Sequence, residues 1–324
     1  MNKNDQTESA IFVLDPQYST TQQVTLSSPE IINQAVNKIQ SLLFLPDNLA
    51  RKAEGGLRTQ GYFKTNRGDK SLISVITVVF NGVEHIEQTI NSIIAQTYDN
   101  IEYIIIDAGS TDGTLDVIRQ YEQQVDYWVS EKDNGIYDAM NKGASVASGQ
   151  WLNFMNAGDF FVNKNIVKDI FKVQIKADLI YGDHEIRYST IKKTVKAKSI
   201  LELFKGMIFC HQSMFVSKNI QLQFPYEYKK YKLASDFSFI FDYITSAQYS
   251  IKYTDTVISS IEAKGESNIN IFLTIKEYRS IVLKKNDFFW IKIYFIFRLI
   301  DAYIREGVKF LLPEYVIDFI RNKI

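Results

Sequence analysis

The sequence is poor in the residues that stabilise small secreted domains and that bind transition metals. It contains one cysteine, Cys210, and three histidines among its 324 residues. A single thiol excludes an internal disulfide framework and a zinc site built from several cysteines. Three histidines also leave little material for a His-rich metal site.

An excess of charge of one sign is missing as well, because 37 Lys and Arg residues balance 37 Asp and Glu residues. A net charge of zero provides no global field that attracts DNA or RNA, so we expect no nucleic-acid partner. Charged residues make up 23% and hydrophobic residues 46% of the chain, an ordinary globular composition that argues against disorder.

Long hydrophobic runs are absent from the sequence. No stretch of about 18 uncharged apolar residues exists, so we expect no transmembrane helix. The polar start MNKNDQTESA (1–10) and the short apolar stretch 11–14 do not resemble a secretory signal. We therefore expect a cytoplasmic protein, either free or peripheral at the inner face of the cell membrane.

Composition and patterning divide the chain into three regions. We expect an N-terminal arm (residues 1–70), an α/β domain (71–265) and a helical C-terminal extension (266–324). Within the arm, residues 29–45 carry apolar side chains at helical spacing, which predicts a short amphipathic helix. These side chains are Ile31, Ile32, Ala35, Ile39 and Leu42.

Buried strand patterns alternate with amphipathic helix patterns from Leu72 onward. The predicted strands are 72–80, 101–106, 127–130, 151–155 and 179–181, and amphipathic helical segments separate them. This order predicts a mostly parallel sheet with helices on both faces. Ligands in that architecture bind beyond the carboxyl ends of the strands.

Carboxylates and glycines cluster at those predicted strand ends. Residues 107–114 (DAGSTDGT), 156–159 (NAGD) and 182–183 (GD) each follow a strand. A glycine lets the backbone approach a ligand closely, and a carboxylate there can hold a sugar or base group or a hard cation. Helix capping explains residues 107–114 equally well. These residues lack the spacing of a dinucleotide fingerprint or a P-loop.

Four ordered motifs resemble the family 2 glycosyltransferases of the GT-A fold. The similarity covers about residues 71–183 and is closest to the members that build bacterial surface polysaccharides. The motifs are SLISVITVVFNG (71–82), IIIDAGSTDGT (104–114), DNGIYDAMNKG (133–143) and NFMNAGD (153–159). Weaker similarity continues through CHQSMF (210–215) and ASDF (234–237).

The resemblance implies a role for particular residues. Asp159 would be the metal ligand at the end of the DxD-like element, with Mn²⁺ or Mg²⁺ as the cofactor. Asp236 would be the catalytic base, although a carboxylate that begins an amphipathic helix can also serve only as a helix cap. The nucleotide-sugar donor would be bound by Thr77, Phe80, Asn81, Asp107, Asp138 and Asn141.

This chain departs from the family pattern at two places. The DxD-like element is reduced to NAGD (156–159), with one carboxylate, so we expect weak binding of the free metal. Met140 stands where many relatives carry an arginine, so the diphosphate needs another cation, for which Lys142 is the candidate.

Two further polar residues allow two interpretations each. His211 lies in an apolar setting and is either a structural histidine or a contact to the acceptor or a phosphate. Asp183 follows a strand end and either lies near the acceptor or belongs to a β-turn.

The C-terminal extension combines aromatic and basic residues. Trp290, Ile293, Tyr294, Phe297 and Ile300 recur at helical spacing among lysines and arginines. Such a helix either lies in a membrane interface or packs on the protein or in a homo-oligomer.

Together these features favour an inverting, metal-dependent glycosyltransferase. The resemblance implies a nucleotide-diphosphate sugar, UDP first, as donor and a glycan or lipid-linked oligosaccharide of a bacterial surface polysaccharide as acceptor. Because residues 156–159 hold one carboxylate, a catalytically decayed scaffold that binds sugar nucleotides is the alternative. A nucleotidyltransferase would need a glycine- and arginine-rich phosphate loop near its start, and none is visible.

Overall fold

The computed structural model describes residues 11–14, 23–68, 70–173, 175–189, 191–246, 248–263, 270–285 and 288–311. The expected boundary at 265/266, the polar start and the tail beyond residue 311 lie outside these residues. The strands are β1 (Ile11–Val13), β2 (Gln23–Thr25), β3 (Ala53–Gly55), β4 (Ile73–Val79), β5 (Ile101–Asp107), β6 (Tyr127–Ser130), β7 (Trp151–Phe154), β8 (Phe160–Phe161), β9 (Leu179–Arg187), β10 (Lys192–Val195), β11 (Met214–Ser217) and β12 (Ile251–Glu262). The α-helices are α1 (Ile86–Ile94), α2 (Thr114–Gln120), α3 (Ile136–Val146), α4 (Ile166–Ile170), α5 (Lys218–Gln223), α6 (Ser235–Ile244), α7 (Ile271–Leu283) and α8 (Phe289–Leu311).

One mixed sheet organises the molecule. Its strand order is β3-β6-β5-β4-β7-β11-β9-β12-β8, with β10 paired to β9. Strands β6, β5, β4 and β7 run parallel, so the loops that follow them open at one edge. Beyond β7, strand β11 runs antiparallel to both of its neighbours. The predicted α/β class with a mostly parallel sheet is confirmed. Beyond the antiparallel strand β11, strands β9 and β12 pair parallel to each other and extend the sheet.

Helices cover both faces of the parallel strands. All seven residues of β4 are buried, which is why this strand reads as a continuous apolar run. Alternate side chains separate into two cores: Ile76 and Val78 pack on the side of α3, and Val75 and Val79 pack on the side of α1. Gly143 of α3 lies so close to Ile76 that a Cβ at this position would clash with it.

The helix predicted over residues 29–45 is wrong. This segment is irregular, and several of its backbone amides bond to other elements. Leu42 N donates to Ser145 O at 2.8 Å, and Lys38 N donates to Leu222 O at 2.9 Å. Ile32 is 65% exposed, so the apolar spacing did not correspond to a buried helix face. Tertiary hydrogen bonds therefore decided the conformation of the segment.

The N-terminal arm is fastened to the parallel strands by buried charges. Its strand β3 pairs antiparallel with β6 at the sheet edge. Arg58, 3% exposed, forms an ion pair with Glu102 at 2.5 Å, and Lys64 forms one with Asp126 at 2.9 Å. Because a buried charge without its partner is costly, these pairs fix where the arm lies.

The C-terminal helices pack on the side of α3 and α6. Phe295 and Ala302 of α8 are buried in this core, but the opposite side of the same helix exposes a row of apolar residues. The exposed side chains are Phe289, Trp290, Ile296, Phe297, Ile300, Tyr303 and Ile304. Within the described ranges, no helix has both the length and the apolar character needed to span a membrane.

Candidate active site

The loop after β7 carries the candidate metal ligand. Asp159 is 9% exposed, and its carboxylate accepts hydrogen bonds from Gln212 Nε2 at 2.6 Å and from Glu262 N at 3.2 Å. Burial raises the pKa of Asp159 to about 6, while the Gln212 bond and the nearby His211 act in the opposite direction. The carboxylate has thus lost most of its hydration, and its hydrogen bonds and neighbouring positive charges offset only part of that loss, as expected of a group that binds a cation.

Two side chains that the sequence analysis missed hold this loop in place. Thr89 of α1 is fully buried, and its hydroxyl donates to Asp159 O at 2.8 Å and accepts from Gly158 N at 3.0 Å. Arg187 of β9 donates to Gly158 O and to Ser260 O, the latter at 2.7 Å. Gly158 itself has a φ of 97°, a conformation that favours glycine. The loop is rigid, and a guanidinium lies beside it.

The candidate base is hydrogen-bonded to the same loop through a histidine. Asp236 lies in the first turn of α6 and is 8% exposed. Its Oδ1 accepts from Tyr137 Oη at 2.9 Å, and its Oδ2 is 3.2 Å from His211 Nδ1. His211 Nε2 is in turn 3.2 Å from Asn156 Nδ2. A continuous chain of hydrogen bonds therefore joins the loop of Asp159 to Asp236.

Strand pairing explains why these distant segments meet. β11 pairs antiparallel with β7 in the register Val216↔Leu152 and Ser217↔Trp151. Asn153 of β7 adds a further contact, since its Nδ2 donates to Gln212 O at 3.0 Å and to Met214 O at 2.8 Å. The segment before β11 therefore runs alongside the loop after β7, and α6 brings Asp236 to its other side.

A second polar cluster lies across β4 from Asp159. Asp107 at the end of β5 is fully buried, and its Oδ2 accepts from Gly109 N at 3.1 Å, Ser110 N at 3.0 Å and Ser130 Oγ at 2.5 Å. The geometry shows a carboxylate that holds its own loop. The base-binding role implied for Asp107 stays a prediction.

The end of β4 joins this cluster. Asn81 has a φ of 48°, donates its N–H to Ser110 Oγ at 2.8 Å and accepts from Thr111 N at 2.9 Å. The neighbouring Phe80 is 64% exposed at the same edge. An exposed ring beside a prebuilt loop is a suitable surface for a nucleobase.

The remaining predicted donor residues are engaged in contacts of their own. Thr77 is fully buried and lies 3.1 Å from Tyr103 Oη. Asn141 bonds both backbone groups of Tyr226, at 2.9 and 3.0 Å. Asp138 accepts from Asn134 N at 2.9 Å. The donor-binding roles implied for these three residues stay predictions.

Lys142 and Asp183 are likewise engaged. Lys142 Nζ forms an ion pair with Glu131 at 2.7 Å, and Glu131 also pairs with Arg51 at 3.1 Å. Asp183 is 2% exposed and accepts from Ala197 N at 2.9 Å and Tyr253 Oη at 3.0 Å. The structure thus brings Asp159, His211 and Asp236 together. The expectation that Asp183 follows a strand end or belongs to a β-turn is wrong, because strand β9 continues to Arg187 and Asp183 lies within it.

The oxygen atoms around the loop fit a hard cation. The Oδ1 atom of Asn156 is buried and has no hydrogen-bond partner among the described residues. With the Asp159 carboxylate it offers two oxygen ligands, and Mg²⁺ or Mn²⁺ can complete its shell with diphosphate oxygens and water. In the part of the chain that the structure describes, no group of three His, Cys, Asp or Glu side chains is arranged to hold a metal.

Gln212 could have been found from the sequence, whereas Tyr137 and Arg187 could not. Gln212 lies within the CHQSMF motif, one residue from His211. Tyr137 Oη reaches Asp236 across 99 positions of sequence, and Arg187 reaches Gly158 from a different strand. No local pattern marks such contacts.

Sequence comparison places the chain in a known family. The family described as glycosyl transferase family 2 matches residues 74–242, more than half of the chain. The protein therefore belongs to glycosyl transferase family 2. It is 27% identical over 201 residues to a PGL/p-HBAD biosynthesis glycosyltransferase of Mycobacterium bovis, which covers 60% of this chain and 78% of the relative.

A second relative is more similar over a shorter stretch. The chain is 42% identical over 96 residues to an uncharacterized glycosyltransferase of Mycobacterium tuberculosis, which covers 29% of this chain. The match spans 37% of that relative's length.

Solved structures share the GT-A fold. The mannosyltransferase PcManGT from Pyrobaculum calidifontis, in complex with GDP-Man and Mn²⁺, superposes with a TM-score of 0.51 at 16% identity, over 67% of this chain and 65% of that chain. TarS of S. aureus superposes with a TM-score of 0.50 at 16% identity, over 65% of this chain and 40% of that chain. At these identities the similarity establishes the fold alone.

Proposed function

We propose that this glycosyltransferase is cation-dependent and inverts the anomeric centre. It would move a hexose or N-acetylhexosamine from a nucleotide-diphosphate sugar, UDP-linked, to a hydroxyl of a glycan or lipid-linked oligosaccharide in bacterial surface polysaccharide synthesis. The observation that carries the proposal is the hydrogen-bonded chain from the Asp159 loop to Asp236, because it links the residue we propose as cation ligand to the residue we propose as base.

The donor would lie along the carboxyl edge of the parallel strands. Phe80 and Asn81 border the nucleobase, and the loop held by Asp107 closes beside them. Asn156 and Asp159 would hold the cation, which when bound stabilises the charge on the departing nucleoside diphosphate. Arg187, beside Gly158, adds a fixed positive charge to the same loop. The mannosyltransferase solved with GDP-Man and Mn²⁺ supports a donor and cation of this kind.

Asp236 would act on the acceptor. An acceptor hydroxyl is a weak nucleophile until its proton is removed, and a buried carboxylate within hydrogen-bond reach removes it as the new bond forms. The oxygen of that hydroxyl attacks the anomeric carbon, the bond to the diphosphate breaks, and the proton passes to the Asp236 carboxylate. With Asp236 on the face opposite the leaving group, this single displacement would invert the configuration.

The test is donor turnover. Purified protein is incubated with UDP-Glc, UDP-GlcNAc, UDP-Gal or GDP-Man, with Mn²⁺ or with EDTA, and the released nucleoside diphosphate is measured. We expect slow hydrolysis of one UDP-sugar that requires the cation, and a released sugar of inverted configuration by NMR. Binding of a donor without any turnover would instead identify a catalytically decayed scaffold.

The exposed side of α8 is relevant to the kind of acceptor and to the location of the protein in the cell. Trp290 is 76% exposed and Phe297 is 66% exposed, and Lys292 and Arg305 flank the row. Aromatic side chains with basic neighbours favour the interface of an anionic membrane. We propose that this face binds the inner surface of the cell membrane and brings the candidate site to a lipid-linked acceptor. A homo-oligomer through this face is the competing outcome.

A further inference from the structure

His211 occupies a position between the two functional groups of the site. Its side chain is 14% exposed, and the side chain of its partner Asp236 is 12% exposed. One ring nitrogen faces the Asp236 carboxylate and the other faces the Asn156 amide, each at 3.2 Å. The ring is therefore held on both sides, with neither nitrogen turned toward the open cleft.

Hydrogen-bond chemistry determines which nitrogen carries the proton. An ionised carboxylate only accepts hydrogen bonds, so Nδ1 must donate to Asp236. On the other side of the ring, Asn156 Nδ2 lies 3.2 Å from Nε2, and because an NH₂ group only donates, Nε2 accepts this hydrogen bond. This orientation turns Asn156 Oδ1 away from the ring, and Oδ1 is the buried atom without a partner among the described residues.

The neighbouring residues orient the second cation ligand in the same way. The Cys210 thiol donates to Gln212 Oε1, which leaves Gln212 Nε2 to donate to Asp159 at 2.6 Å. Burial raises the pKa of Cys210, so the thiol keeps its proton. Residues 210–212 thus contact both proposed cation ligands, whose oxygens they orient.

We propose that His211, as the Nδ1–H tautomer, is a positioning residue that orients two groups at once. It fixes the Asp236 carboxylate toward the acceptor, and it fixes the Asn156 amide so that Oδ1 points to the cation. It touches neither donor nor acceptor. The part of this inference that concerns Asp236 and the cation rests on the proposed function. The part that concerns the hydrogen bonds of His211 rests on geometry alone.

Two substitutions separate the two contacts. In H211N the amide nitrogen takes the place of Nδ1, so the contact to Asp236 is kept and the contact to Asn156 is lost. In H211Q the amide oxygen takes the place of Nε2, so the contact to Asn156 is kept and the donor to Asp236 is lost. Each variant is the matched control of the other, and thermal unfolding checks that both fold.

The expected results are opposite for the two variants. H211N should weaken Mn²⁺ binding by about 10-fold or more and keep kcat within about 10-fold at saturating Mn²⁺. H211Q should keep the Mn²⁺ affinity and lower kcat by about 10- to 100-fold. These losses are the usual range for residues that orient a ligand or base. Mn²⁺ binding is followed by the electron paramagnetic resonance signal of the free ion, with and without UDP. Equal losses of kcat with unchanged Mn²⁺ affinity would overturn the proposal in favour of direct contact with substrate.

The tautomer is measured without any substrate. The chain has three histidines, so long-range ¹H–¹⁵N spectra of labelled protein contain three imidazole patterns, and H211N removes the one that belongs to His211. We expect a protonated Nδ1 and an unprotonated Nε2. An Nε2–H ring in the folded protein overturns the proposal. Absence of turnover by the wild type would overturn the proposed function and leave this measurement intact.

Discussion

The two sides of the sheet build their polar sites in different ways. On the parallel side, Asp107 bonds residues two and three positions away, and it also bonds Ser130, 23 positions away on the neighbouring strand β6. On the antiparallel side, Asn156 meets His211 across 55 positions, and Tyr137 meets Asp236 across 99. The donor loops thus combine local turns with contacts between adjacent parallel strands, whereas the proposed catalytic chain exists only when strand β11 and helix α6 are in place.

This difference predicts which substitutions lower the stability of the fold and which lower the rate of turnover. Substitutions that release buried charges of the parallel side should lower stability. Substitutions along the long-range chain should lower turnover in a protein that still folds.

The largest effect is expected at the ion pair that fastens the N-terminal arm. Arg58 pairs with Glu102 and also donates to Leu43 O and Val146 O, at 2.7 and 2.8 Å. Arg58→Met leaves Glu102 charged and buried, so we expect the free energy of unfolding to fall by roughly 3–5 kcal/mol. Urea unfolding followed by circular dichroism measures it.

The control for Arg58→Met is the same substitution at an exposed pair. Arg119 pairs with Asp116 on α2, and the two side chains are 50% and 75% exposed. Arg119→Met should cost less than about 1 kcal/mol. Equal losses for the two variants would show that burial of the charges is not what fastens the arm.

The second effect concerns the proposed base. Asp236→Asn keeps the shape of the side chain and removes its ability to take a proton, so we expect kcat to fall at least about 100-fold. The unfolding midpoint should change little. Asp242→Asn, on the same helix and paired with Lys285 at 3.3 Å, is the matched control. Turnover of Asp236→Asn close to that of the control would exclude Asp236 as the base.

The third prediction concerns pH and the antiparallel strands. Burial lowers the pKa of His184 on β9 to about 4 from 6.5, so the unfolded chain binds more protons between these values. The stabilising contribution of His184 is therefore fully present above its pKa in the unfolded chain, 6.5, and is lost as the pH falls toward 4. Between pH 7.5 and 5 we expect a loss of about 2 kcal/mol in the free energy of unfolding.

The His184→Gln variant tests that assignment. It lacks the titrating ring, so its free energy of unfolding should depend less on pH in this range. A pH dependence identical to that of the wild type would show that other groups cause the acid sensitivity.

The smallest effect is expected on α8. Replacing Trp290 and Phe297 together by Ser removes apolar area from the exposed row, and we expect binding to vesicles with anionic lipids to weaken about 10-fold. Co-sedimentation measures binding. Leu201→Ser changes an 84% exposed residue on another element and serves as control. If the wild type instead self-associates and the double variant is monomeric, the face is a contact between copies.

Much of the fold could be predicted from the sequence, because its signals are local. The continuous β-branched runs 73–79 and 101–107 correspond to strands buried on both faces, and the spacing of Ile86, Ile90 and Ile93 predicts a helix face that the structure buries. The same reasoning failed for residues 29–45, since the backbone there bonds to α3 and α5.

The candidate site was only partly accessible in this way. The motifs drew attention to Asp159, His211 and Asp236, and the resemblance suggested roles for the first and last. No pattern indicated that His211 would lie between Asn156 and Asp236, or that Arg187 and Thr89 would hold the loop of Asp159.

Local sequence was sufficient to predict the class of fold and the family resemblance, because hydrophobic periodicity and motifs depend on residues close together along the chain. The tertiary structure alone decided the hydrogen-bonded chain across the cleft, the contacts of Lys142 and Asp183, and which side of α8 stays exposed. These features depend on the register between β11 and β7 and on the packing of α6 and α8, where partners are far apart in sequence and are joined only by folding.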